Sequence, residues 1–291
     1  MNLGRAKSIL IIAFAGLNIF LGYHLFWPDF GRLTRVAITA EDLRATETVL
    51  SDNNYILEVS LDRSVRASDF LTVSTALDFQ RKILQHFIEK GARGSESGNT
   101  SNFQTEGETA IIHPNGLIRI VYDPGIFLVE DAINLEEQEI KIMIKQFLED
   151  KKLMPEGIHF DYMENSEERI NFHYYQTIED VPIYASQLKV VLESDYIELV
   201  EIYWLSPTKR MPPREMEVIP ATKALTNLVN ELGPSPEPRQ IKQIELGYYS
   251  GEYDAEKWEI PPVWRIALDG KEYYYINAFT GNLEQDSVIL D

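Results

Sequence analysis

The chain has 291 residues, with 27 lysines and arginines against 46 aspartates and glutamates, a formal net charge of −19 and no cysteine. That charge excludes a nucleic-acid partner, which needs a basic surface, and the missing thiols exclude a disulfide framework and thiolate chemistry. With 44% hydrophobic residues, there is material for a packed core in one large domain or two small ones.

Residues 8–27, SILIIAFAGLNIFLGYHLFW, contain no Asp, Glu, Lys or Arg. At about 1.5 Å per residue they reach roughly 30 Å, the thickness of a bilayer's hydrocarbon core. This predicts a transmembrane helix. Arg5 and Lys7 precede it, which favours a cytoplasmic tail at 1–7 and an extracellular region after Trp27. The following PDFGRLTRVAITA has Ala37 and Ala40 at the wrong spacing for a cleavage site, so the helix is expected to stay in the cell membrane as a single-pass anchor. Ala15, Asn18 and Gly22 share one helical face. Small residues let a second backbone approach, and an amide within lipid needs a polar partner, so this face predicts contact with other membrane helices.

After the anchor, Thr39 with Asp42 forms a capping box for a helix over 41–50. Ile83, Leu84, Phe87 and Ile88 recur at helical spacing over 75–89, and Gly91 ends the run. Residues 91–107, GARGSESGNTSNFQTEG, read as a polar, glycine-rich loop. Strands follow at 109–113 and 117–122 around the turn Pro114-Asn115-Gly116. A helix over 135–151, capped by Asn134 with Glu137, turns Ile140, Met143, Ile144, Phe147 and Leu148 to one side. Strands at 159–163, 170–175, 187–194 and 197–205 lead to the connector SPTKRMPPRE at 206–215. The last helix, 221–232, stops at Gly233-Pro234, and strands at 243–249, 263–270 and 271–279 follow, with a tight turn at Asp269-Gly270.

A helix followed by hairpin-linked strands thus occurs twice. The expected fold class is α+β: a transmembrane helix at 8–27, an N-terminal part of the outer region at 28–133, and two similar units at 134–210 and 211–291. Each unit is an antiparallel sheet packed by its helix.

Motifs for chemistry are missing. The five histidines include no i, i+4 pair and no His-Glu-x-x-His; His159 and Asp161 share one side of a strand with His173 not far off, a weak cluster without the ligand count and second shell of a metal site, so surface or core histidines explain them better. Ser206-Pro-Thr-Lys209 has Ser-x-x-Lys spacing but no Lys-Thr-Gly or Ser-Asp-Asn partner. No cofactor and no metal are expected. The last unit is dense in aromatics, and alternation puts Tyr273 and Tyr275 on one strand face and Tyr274 with Ile276 on the other. Trp264, Tyr273 and Tyr275 are therefore candidates for an extracellular contact as well as for a core.

The basic start, the spanning helix with LNIFLGYHLF at 17–26, and the cysteine-free domain ending in PVWRIALDGKEYYYINAFTGNLE at 262–284 together resemble the YycI/YycH family. The overall length and the direct passage from anchor to domain resemble the shorter YycI branch. The resemblance implies a non-catalytic accessory regulator of a cell-wall two-component sensor histidine kinase of the WalK/YycG type. It implies as partners that kinase, a YycH-like protein and the membrane, with no nucleic acid. The alternative is an anchored module resembling PepSY units that holds a peptide or wall polymer.

Overall fold

The structure is a computed structural model, and it describes residues 14, 16–18, 38–64, 67–166, 169–208, 216–251, 255–269 and 272–284. Within the expected anchor, Phe14, Gly16, Leu17 and Asn18 are helical and exposed, while Ala15 and Gly22 lie outside the described residues. No described helix is long and apolar enough to cross a membrane.

Helix α1 (Ala40–Asp52) opens on the expected box: Asp42 N donates to Thr39 Oγ1 and Thr39 N donates to Asp42 Oδ2. Strands β1 (Tyr55–Leu57), β2 (Ala67–Ser68) and β3 (Leu71–Thr75) lead into α2 (Leu77–Glu89). The expected loop at 91–107 is instead a hairpin, β4 (Arg93–Ser97) and β5 (Thr100–Gln104). Gly98 takes the turn at φ 60°, so the glycine signal marked a tight turn within a strand pair. Strands β6 (Glu108–Ile112) and β7 (Ile118–Phe127) follow, with Gly116 at φ 96° between them as the Asn-Gly pair requires.

Helix α3 (Glu137–Asp150) starts later than expected. Glu136 caps it together with Glu139, while Asn134 sits in a preceding 3-10 turn. Then come β8 (Ile158–Asn165), β9 (Arg169–Ile178), β10 (Val181–Glu193), β11 (Tyr196–Tyr203), β12 (Leu205–Thr208) and β13 (Met216–Glu217). Helix α4 (Ala221–Leu232) has the expected bounds. It is followed by β14 (Arg239–Tyr248), β15 (Lys257–Ile260), β16 (Pro262–Leu268), β17 (Glu272–Asn277) and β18 (Leu283–Glu284).

The two expected sheets are one. Among the described residues a 13-stranded sheet runs from β18 through β17, β16, β14, β10, β11, β7, β6 and β5 to β4, with β8 and β9 branching from β10 and β1 from β14. Its pairing is mixed: β1 and β10 both run parallel to β14. The two largest of its cores are the ones that the helices cover. In the larger, Ile83 and Phe87 of α2 and Ile140, Ile144 and Leu148 of α3 pack on β7, β9, β10 and β11. In the other, Leu225, Leu228 and Val229 of α4 pack with Leu50 of α1 on β14, β16 and β17. Residues 40–57, far from 221–284 in sequence, thus complete the C-terminal half. A parallel strand pair needs such a long return of the chain.

Candidate functional site

Strand β16 is buried on both faces, as a central strand should be. Trp264 and Ile266 point to α4, and Trp264 Nε1 donates to the Ile219 carbonyl at 2.8 Å. Arg265 points the other way. Its guanidinium, 2% exposed, donates Nη1 to Asp161 Oδ1 at 2.8 Å and Nη2 to Asp161 Oδ2 at 2.7 Å. Such two-pronged pairs are geometrically specific. Asp161 belongs to β8, which along the sheet is separated from β16 by β9, β10 and β14, so the sheet curls for the two to meet.

Two irregularities aim the partners. The register of β8 against β9 slips between Phe160 and Tyr162, leaving Asp161 as the extra residue. A bulge re-aims a side chain in this way. Pairing of β10 with β9 also breaks between Ile183 and Gln187, which frees Tyr184 to lie over Arg265. The guanidinium carbon is 3.7 Å from the Tyr273 ring centroid and 4.4 Å from that of Tyr184, a favourable cation–π setting when desolvated. Gly247 permits the approach: a Cβ there would lie 2.6 Å from the Tyr184 ring and 2.8 Å from the Pro182 carbonyl.

Around this pair the rings form a continuous cluster. Tyr275 stacks on Tyr249 at 3.8 Å and touches Tyr184; Tyr273 touches Tyr162, which stacks on His173 at 4.3 Å. Burial opposes the charge on Arg265, but Tyr275 and Asp161 outweigh it and hold its pKa above the ordinary value. Burial pushes the Tyr184, Tyr162 and Tyr273 hydroxyls upward, so they remain neutral phenols at physiological pH. Burial pulls His173 down, against the opposing influence of Glu164 at 3.4 Å. The cavity enclosed by the cluster is about 50 Å³, far below the several hundred Å³ of an ordinary ligand pocket. The arrangement clasps two parts of one sheet.

Of the contact candidates, Trp264 and Tyr275 are enclosed, at 4% and 7% exposure, and Tyr273 is half-buried against Arg265. Their faces are occupied from within the chain: α4 covers Trp264, the Tyr249 and Tyr184 rings cover Tyr275, and Tyr162 of β8 lies against Tyr273. His159 stacks on Tyr175 rather than joining Asp161 and His173. Among the described residues no three His, Cys, Asp or Glu side chains converge as a metal site. Ser206 and Pro207 lie in β12, paired with β3.

Residues 35–279 match the family described as YycI protein. The chain belongs to the YycI family. No curated protein matches it. An uncharacterized protein from Eubacterium rectale is similar in structure, with a TM-score of 0.50 and 11% identity over 84% of this chain and 98% of that one. At that identity the likeness is one of fold. YycH from Bacillus subtilis gives a TM-score of 0.46 at 15% identity, over 72% of this chain and 52% of that one. The C-terminal domain of YpeB from Bacillus megaterium gives 0.38 at 15% identity, over 73% of this chain and 96% of that one.

Proposed function

We propose that this YycI-family chain is a non-catalytic accessory regulator of a cell-wall sensor histidine kinase of the WalK/YycG type, acting with a YycH-like partner. The family match over 35–279 carries the reading. The uncharged apolar run at 8–27 supports a single membrane anchor, with the N-terminus in the cytoplasm and the sheet domain outside. Regulation of this kind is a coupling free energy: binding one kinase conformation better than another by about 1.4 kcal/mol shifts its population tenfold. The two helix-covered halves then act as one outer body that reports to the kinase through the anchor. The binding-module alternative loses support, since of the rings it would use Trp264 is enclosed and Tyr273 is half-buried with one face on Arg265.

The anchor face gives the test. Replacing Asn18→Leu with Gly22→Ile removes the polar contact and the close approach, at a cost of roughly 0.6–2 kcal/mol per interhelical contact. Co-isolation of the full-length chain with the kinase or the YycH-like protein from membranes is expected to fall, with the chain's own abundance unchanged. Association that survives the double change intact contradicts the helix-face part of the proposal.

A further inference from the structure

At one end of the sheet, four strands carry a row of side chains in register. Arg169 on β9 lies opposite Glu193 on β10, Glu193 opposite Tyr196 on β11, and Tyr196 opposite Phe127 on β7. Directly opposed residues share a sheet face. It is the face away from α2 and α3, because the neighbouring Ile170, Leu192 and Ile197 are buried with those helices. Phe127 and Tyr196 are 56% and 46% exposed and touch each other edge to face at 5.6 Å. Val121, on the same β7, is exposed as well. Apolar residues scattered singly over a surface are ordinary, whereas two exposed rings in contact on adjacent strands form the start of a contact patch.

Carboxylates lie in and beside this row: Glu193 within it pairs with Arg169 at 3.2 Å, and Glu198 sits at the register slip of β11 just after Tyr196. Glu193 hydrogen-bonds Glu198, and Asp123 adds its charge, so the Glu198 carboxyl is held above its ordinary pKa, while Arg169 is the cation that faces them. Bringing further positive charge here relieves the repulsion between like charges. The sign of this rim decides the occupant. A phosphate-bearing wall polymer or anionic lipid headgroup is repelled, and a second copy of a chain of net charge −19 brings more of the same charge. A neutral glycan leaves the excess of carboxylates over Arg169 uncompensated. We propose that this end of the sheet docks a basic polypeptide segment of a partner protein. Its apolar side chain covers Phe127 and Tyr196, and its Lys or Arg side chains meet Glu193 and Glu198. The inference stands whether or not that partner is the sensor kinase.

The test places a photoreactive Phe127→p-benzoylphenylalanine in the full-length chain, irradiated in its own membranes. The same change at Ile142, exposed on α3, serves as reference. The expected product is a cross-link from position 127 to a peptide of another protein that is rich in Lys or Arg and contains apolar residues. Adding Glu193→Gln with Glu198→Gln is expected to lower its yield about five- to tenfold. Glu41→Gln with Glu47→Gln, an equal charge change on α1, is expected to leave the yield unchanged. The proposal is overturned by a product that is a second copy, a glycan, a lipid or an acidic peptide. It is equally overturned by a yield at position 127 no higher than at 142, or by equal responses to the two charge changes.

Discussion

Arg265 and Arg119 each pair with a carboxylate, Arg265 as a buried cation on half-buried Asp161 and Arg119 as a half-exposed cation on buried Glu201, and the settings differ in what they join. Arg119 on β7 donates Nε to Glu201 Oε1 at 2.6 Å, and the two stand opposite each other on adjacent strands. Lys189 of β10 lies 4.0 Å from the other oxygen of Glu201. That cluster pins three strands that backbone hydrogen bonds already hold. Arg265 meets Asp161 across 104 residues of sequence and three intervening strands, where no ladder connects the partners. The first pair decorates a sheet; the second determines how far it curls. Similar ion-pair chemistry therefore predicts unequal consequences, set by whether water can reach the cation left behind.

The sharpest way to break the comparison is Asp161→Ala. It leaves a guanidinium that is 2% exposed without its counter-ion, a loss expected to cost about 3–5 kcal/mol in unfolding free energy. Chemical denaturation of the full-length chain in detergent measures it. Next in size is Gly247→Ala, whose Cβ meets the Pro182 backbone as well as Tyr184; overpacking there is expected to cost about 1–3 kcal/mol. Glu201→Gln ranks third at about 1 kcal/mol, because Arg119, 36% exposed, can turn to water. A Glu201 change that equals or exceeds the Asp161 change in the same assay refutes the distinction.

The mildest expected effect is on pH dependence. His173 lies between Tyr162, Glu164 and Lys189, and burial depresses its pKa in the folded protein. Its unfolded form takes up a proton more readily, so folding stability is complete above about pH 6.5 and falls as the pH drops below that value. Unfolding midpoints of His173→Phe, which keeps a ring against Tyr162, are expected to lose part of this acid sensitivity. An unchanged pH profile removes His173 from the account.

Periodicity and turn chemistry were legible wherever they act locally. The Thr39–Asp42 box, the bounds of α4, the turn at Gly116 and the strand alternation around Tyr273 to Ile276 all depend on neighbours within a few residues. The union of the two halves was not legible, since one register contact, Ile183 with Tyr248, carries β10 onto β14. Neither did local pattern show that α1 and β1 belong with α4. For the clasp, two signals stood in plain view: a charged residue inside the apolar run VWRIAL, and Gly247 inside a strand, which marks close backbone approach. Asp161 had none, because its direction comes from a slipped register. The aromatic run in the last strands spoke equally for a core and for an outer contact, and α4 resolves Trp264, and the Tyr184 and Tyr249 rings Tyr275, to the inside.

Hydrogen exchange on the full-length chain, comparing the wild type with Asp161→Asn, tests most directly whether the clasp makes one body of the two halves. The account predicts that amides of β8 and β9 and those of β16 and β17 lose protection together. Loss confined to β8 and β9, with β16 and β17 as protected as before, contradicts it.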